Sequence, residues 1–172
     1  IRVVVPYSVA GKANVTLQVT NLGLAAAPLT LDVAPQSPGL STLDGTGAGQ
    51  GAFINEDGTA NGADSPAAPG SLVQIEVTGL GVTEPANDTQ VVTETRKRPV
   101  PTATIGATVG GRRCELVQAS GRAGQVGAVL LLRLRIPADV GPGDAVPVVL
   151  DVEGISSQTV TMAIRNSSPA DE

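Results

Sequence analysis

Side chains that move protons, hold metals or attack carbonyl carbon are scarce in this chain. It has no His, which removes Ser-His-Asp and Cys-His nucleophilic sites and most zinc sites. Its lone Cys114 can neither close a disulfide within the chain nor build an iron–sulfur site. It reads as a small buried hydrophobe, with an intermolecular bridge as the sharper alternative. Glu56 and Asp57 are adjacent carboxylates, the raw material of glycoside hydrolysis, but they fall in a predicted turn. Asn55, Asp57, Asn61 and Asp64 crowd into one short stretch, and Ca²⁺ takes several oxygen ligands. They lack EF-hand spacing and its closing Glu, so Asx turns explain them better and they stand only as weak calcium candidates. Gly45, Gly47, Gly49 and Gly51 have no helix after them to complete a phosphate cradle. Lys12 and Lys97, the only lysines, both lie in predicted loops, which disfavours an isopeptide bond. Asn14, Asn87 and Asn166 open glycosylation sequons. The expectation is a chain that is not an enzyme and carries no cofactor.

The elements that would position any site are β-strands. Val73, Ile75 and Val77 alternate with Gln74, Glu76 and Thr78. The same period of two runs through Leu130–Ile136, Val146–Val152 and Val160–Ile164. Alternation puts one set of side chains on a core face and the other in water. Asp57-Gly58, Gly110-Gly111 and Glu153-Gly154 mark turns between such runs. No stretch carries a helical period with caps. Of the 172 residues 41% are apolar, yet the chain has one Phe, one Tyr and no Trp, so Val, Leu, Ile and Ala must fill the core.

The formal net charge of −5 and the 16% of charged residues argue against nucleic acid, which needs clustered Lys and Arg. Arg96-Lys97-Arg98 and Arg112-Arg113 read as exposed loop charges. No apolar run is long enough to enter a membrane as a helix. The chain starts at Ile1 rather than Met, which suits a processed or excised chain. Low charge with Thr, Gly and Pro richness suits an extracellular or cell-surface location.

An internal repeat organises the whole. Residues 1–38 align without gaps onto 132–169: Arg2 on Arg133, Pro6 on Pro137, Val15 on Val146, Gly23 on Gly154 and Thr30 on Thr161. The predicted architecture is all-β: an Ig-like antiparallel β-sandwich over 71–166, preceded by a three-stranded partial Ig-like unit over 1–34. Residues 35–70, rich in Gly, Ala and Asp, read as a linker with one small hairpin, and 167–172 as a tail. A short strand is expected near Gln90–Glu94. In the partial unit Ile1, Val3 and Val5, then Val15, Leu17 and Val19, then Leu29, Leu31 and Val33 offer apolar faces for self-association. Residues 35–64 or a chain end are the expected donor strand, and the expected product a homo-oligomer or fibre.

Long runs of the sequence resemble a known family. GQGAFINEDGTANGADSPAAPGSLVQIEVTGLG at 49–81, ATVGG at 107–111, LRIPADV at 134–140 and GDAVPVVLDVEGISSQTVTMAI at 143–164 carry the likeness. So do the opening VVVPYSVAGKANVTLQVT and the join VAPQSPGL. They resemble the C-terminal domain family of unknown function abundant in Solibacter and other acidobacteria. The resemblance covers nearly the whole chain. It implies tandem Ig-like sandwiches on large exported proteins and transfers no activity and no site residues. The sequence departs from the family at RRCELVQ, 112–118, where Cys114 lies.

The function expected is that of an extracellular structural module of a surface-associated or filamentous assembly. The alternative is a secreted adhesion module with a glycan or protein ligand. Sugar binding favours exposed aromatic rings, and only Tyr7 and Phe53 could supply one.

Overall fold

The computed structural model describes residues 3–93 and 97–166. The described residues are strands, turns and loops, with one short 3-10 turn at Tyr7–Val9. Two compact units divide the chain, Ile1–Pro35 and Gln36–Glu172.

The first unit is one long hairpin. Strand β1 (Asn14–Leu17) runs antiparallel to β4 (Leu29–Asp32), and nearer the tip β2 (Thr20–Asn21) pairs with β3 (Leu24–Ala25). Residues 3–6, expected to lead as a strand, carry no ladder. The repeat explains why. Their counterparts in the second unit pair away from the equivalent hairpin, in the opposite sheet, and the described residues of the first unit form no such sheet.

The second unit is a sandwich of two antiparallel sheets. Its strands in chain order are β5 (Gly39–Leu40), β6 (Ile54–Asn55), β7 (Leu72–Thr78), β8 (Thr83–Glu84), β9 (Val100–Pro101) and β10 (Ile105–Val109). They continue with β11 (Arg112–Arg113), β12 (Glu115–Gly121), β13 (Leu130–Arg135), β14 (Gly143–Val152), β15 (Ile155–Ser156) and β16 (Val160–Ile164). One sheet runs β12-β13-β7-β5, with β6 also on β7; the other runs β11-β10-β14-β15, with β16 also on β14. Period-two alternation sets the inner faces. Val73, Ile75 and Val77 of β7 and Leu132 and Leu134 of β13 meet Val148 and Leu150 of β14 and Val160 and Ile164 of β16, all buried. Each such side chain contributes roughly 1.5–3 kcal/mol on burial.

Residues 35–70 are not a linker; from Gln36 onward they are built into the sandwich. Composition hid this because the segment bonds mostly outside regular strands. On one side β5 and β6 pair with the edge of β7. On the other, Gly51 N–H donates to Thr161 C=O at 2.9 Å and Thr161 N–H to Gly49 C=O at 2.8 Å. Ala67 N–H donates to Ala163 C=O at 2.9 Å, and Arg165 N–H to Ala67 C=O at 2.9 Å. The segment therefore spans both sheets and closes one flank, covering the edge that β16 would otherwise expose. Phe53 plugs this flank, fully buried, and Gly51 leaves room for it: a Cβ at that glycine would overlap the Phe53 ring.

No strand forms near Gln90; there a single bridge joins Val91 to Val126, and Glu94 lies outside the described residues. The opposite edge, β12, is interrupted by a bulge between Leu116 and Gln118, and Gly121 N–H donates to Pro99 C=O. Both features blunt an open edge.

Truncating the packed face should be costly. Leu150→Ala is expected to lower the unfolding free energy by about 2–5 kcal/mol, and Phe53→Ala by about 3–5 kcal/mol. Chemical denaturation of the two variants against the parent chain measures both.

Candidate assembly interface

The hairpin of the first unit is built on a tight turn. Leu22 and Gly23 both sit at positive φ, 49° and 81°. Two successive positive-φ residues match the right-handed twist of the strands they join. The hairpin of the second unit turns the same way, with Glu153 at 52° and Gly154 at 87°.

The likeness extends through the ladders. Val15 pairs with Leu31, Thr16 with Thr30 and Leu17 with Leu29. A single constant shift in numbering carries these onto Val146 with Met162, Pro147 with Thr161 and Val148 with Val160. The same shift carries Thr20–Ala25 and Asn21–Leu24 onto Asp151–Ser156 and Val152–Ile155. It also carries the bond from Ala26 N–H to Val19 C=O, 2.8 Å, onto that from Ser157 N–H to Leu150 C=O, 2.7 Å. The turn closed by Val9 N–H on Pro6 C=O maps onto Val140 and Pro137. The one departure is a bulge between Gly143 and Val146. A slip of one residue would have turned every side chain to the other face. Equal register in both hairpins therefore means equal faces: Val15, Leu17, Val19, Leu29, Leu31 and Val33 occupy the positions of Val146, Val148, Leu150, Val160, Met162 and Ile164.

Burial separates the two. The second hairpin's six are buried, whereas Leu29 is 55% and Leu31 40% exposed. Val19 is exposed as well, and Val15, Leu17 and Val33 are half-buried. Val3 and Val5 are exposed outside any strand, and Ile1 lies outside the described residues. Sequence reading missed the hairpin tip, where Leu22 is 97% exposed and Leu24 79%. The Leu-Gly pair between strand-like runs was the available signal.

The expected donor segment is not free. Residues 36–64 are committed to β7 and β16 within the second unit.

The oxygen-rich stretch is also committed internally. Asn61 is buried, and its amide nitrogen donates to Asn55 Oδ1 at 3.1 Å and to Ala163 C=O at 2.9 Å. Its Oδ1 accepts from Ala163 N–H at 2.8 Å and from Gln50 Nε2 at 3.0 Å. Asn55 Nδ2 donates to Thr59 Oγ1 and to Ser65 C=O. Asp57 Oδ1 accepts from the Thr59 hydroxyl and N–H, an Asx turn as expected. Glu56 Oε2 accepts from Leu72 N–H, so the adjacent carboxylates hold separate backbone groups. Asp64 is exposed. Among the described residues no group of three His, Cys, Asp or Glu converges on a metal position.

Phe53, one of two candidate aromatic anchors, is sealed inside and has no face to offer a sugar. Lys12 and Lys97 are exposed. An open groove on the outer face of β10 and β14 is lined by Gly106, Thr108, Arg113, Val149, Asp151 and Glu153, with no aromatic side chain among its lining residues. Cys114 is buried in the core, and desolvation pushes its thiol up to about 11.

No family model, curated protein or solved structure matches the chain.

Two outcomes follow from the ionisable groups. The thiolate is the reactive form of cysteine, so Cys114 should alkylate much more slowly in the native chain at pH 8 than in urea. Equal rates by mass spectrometry would show an accessible thiol. Asp44 and Asp57 are held below the ordinary carboxylate range, Asp44 chiefly by the Thr46 N–H and Asp57 chiefly by the Thr59 hydroxyl. A depressed folded pKa gives stability that is present above the unfolded value and lost as pH falls through the folded one. Thermal melts should therefore decline as pH drops below about 4, and Asp57→Asn should flatten part of that decline.

Proposed function

We propose that this chain is a non-enzymatic structural module of an extracellular, surface-associated or filamentous assembly, in which a neighbouring sandwich completes the first hairpin. The observation that carries the reading is the shared register. The same hairpin occurs twice, once with its apolar face buried in a sandwich and once with that face only partly covered. A two-stranded ribbon is marginal alone, and an apolar face backed by open strand edges invites addition of strands. Strand complementation supplies main-chain hydrogen bonds along the edge and pockets for alternate side chains. Head-to-tail contacts that do not close propagate as filaments. The low charge and the scarcity of catalytic side chains support the same reading.

A secreted adhesion module is the second reading, favoured by the open groove on β10 and β14. The burial of Phe53 weakens it for sugars.

Amide hydrogen exchange on the isolated chain tests the structural reading. Residues 14–32 should exchange far faster than β14 and β16, because their ladders lack a covering layer. A monodisperse monomer by sedimentation, with 14–32 as protected as 143–164, would show that the hairpin needs no neighbour.

A further inference from the structure

The first unit keeps more of the sandwich plan than its hairpin. In the second unit Pro137–Val140 forms the corner at which the chain leaves β13, in one sheet, for β14, in the other. Val140 N–H donates to Pro137 C=O there, as Val9 N–H does to Pro6 C=O at 3.1 Å in the first unit. A hairpin standing by itself has no use for such a corner, because it has no opposite sheet to come from.

The residues ahead of the corner agree. Val3 and Val5 correspond to Leu134 and Ile136, which are buried. Leu134 lies between Leu116 of β12 and Val73 of β7. Ile136 N–H donates to Ser71 C=O, and its C=O accepts from Gly70 N–H. Val3 and Val5 are exposed and pair with no strand among the described residues. They carry the alternation of a central strand without its two partners.

Two facts narrow what covers these positions. The seat that β10 offers a hairpin is taken along its length by β14. Another copy of this chain arrives with the same seat filled. In the second unit, moreover, every body strand from β5 to β13 precedes the hairpin that the body receives. A body with an open seat is therefore one whose own final hairpin follows it in the same polypeptide.

We infer that the first hairpin closes a sandwich whose body, equivalent to β5–β12, is formed by the residues immediately before Ile1 in the longer polypeptide. Val3 and Val5 lie in the central strand of that body, and Val15, Leu17, Leu29 and Leu31 close onto its inner face. The repeat gives the body a length of about a hundred residues. This rests on the complementation reading above, with the neighbouring sandwich placed in the same polypeptide. Successive modules then join in a row through the chain itself.

The gene and the extended polypeptide test it. The codons before that of Ile1 should encode, within about a hundred residues, runs of period-two apolar alternation spaced like β7, β10 and β12. Amide hydrogen exchange then compares the extended polypeptide with the present chain. Residues 14–32 should exchange at least about ten-fold more slowly in the extended form, while 143–164 stay unchanged. Leu31→Asp in the extended form should reverse that gain and leave 143–164 protected. A start codon close before Ile1, unrelated sequence over that reach, or unchanged exchange of 14–32 would overturn the inference and leave completion by a separate chain standing. A gain that survives Leu31→Asp would likewise overturn it, since the apolar face would not be the contact. Residues 14–32 as protected as 143–164 in the present chain, as a monomer, would remove both readings.

Discussion

The hydrogen-bond ladder along β14 is the constraint on which the second unit depends. Ten residues long, it pairs with β10 on one edge and with β16 and then β15 on the other. Because side chains alternate, fixing β14 in register also fixes which residues of three other strands face inward. Val146, Val148, Leu150 and Val152 are thereby stacked against β7 and β13. With a single Phe in the interior, the core is an assembly of small aliphatic side chains. Its cohesion comes from many modest burials rather than a few large ones.

What the sequence revealed followed from periodicity. Alternation alone placed Val73, Ile75, Leu132, Leu150 and Val160 inside, and all are buried. The repeat was readable for the same reason, since matching alternation implies matching faces. Residues 36–70 were unreadable because they are held by another kind of bond. Asn61 uses a side-chain amide in place of a strand, engaging both the N–H and the C=O of Ala163. A lone Asn followed by Gly has no period to detect, and in isolation it signals a turn. The oxygen-rich stretch that suggested a cation site is largely this internal scaffold. Here polar side chains serve backbone groups at a sheet edge, which is the usual destination of buried amides.

The two hairpins also show how a duplicated element can diverge. The apolar face tolerates exchanges of Leu, Val, Met and Ile of similar volume with little consequence. The polar positions differ more sharply: Gln158 bonds both backbone groups of Leu40, whereas its counterpart in the first hairpin is Ala27.

The closure of the sandwich flank has a consequence for how the chain acquires its structure. Residues 49–67 form their bonds with Thr161, Ala163 and Arg165, about a hundred positions later in the sequence. During synthesis they leave the ribosome well before the strand that receives them. Until β16 arrives, Phe53 and the Asn61 amide have no site to enter, and the β7 edge carries only its short pairings with β5 and β6. Such distant pairings place the loop-closure cost ahead of the reward. The second unit should therefore remain partly open until its last strand is made, with its apolar flank exposed for that interval to chaperones or to other nascent chains.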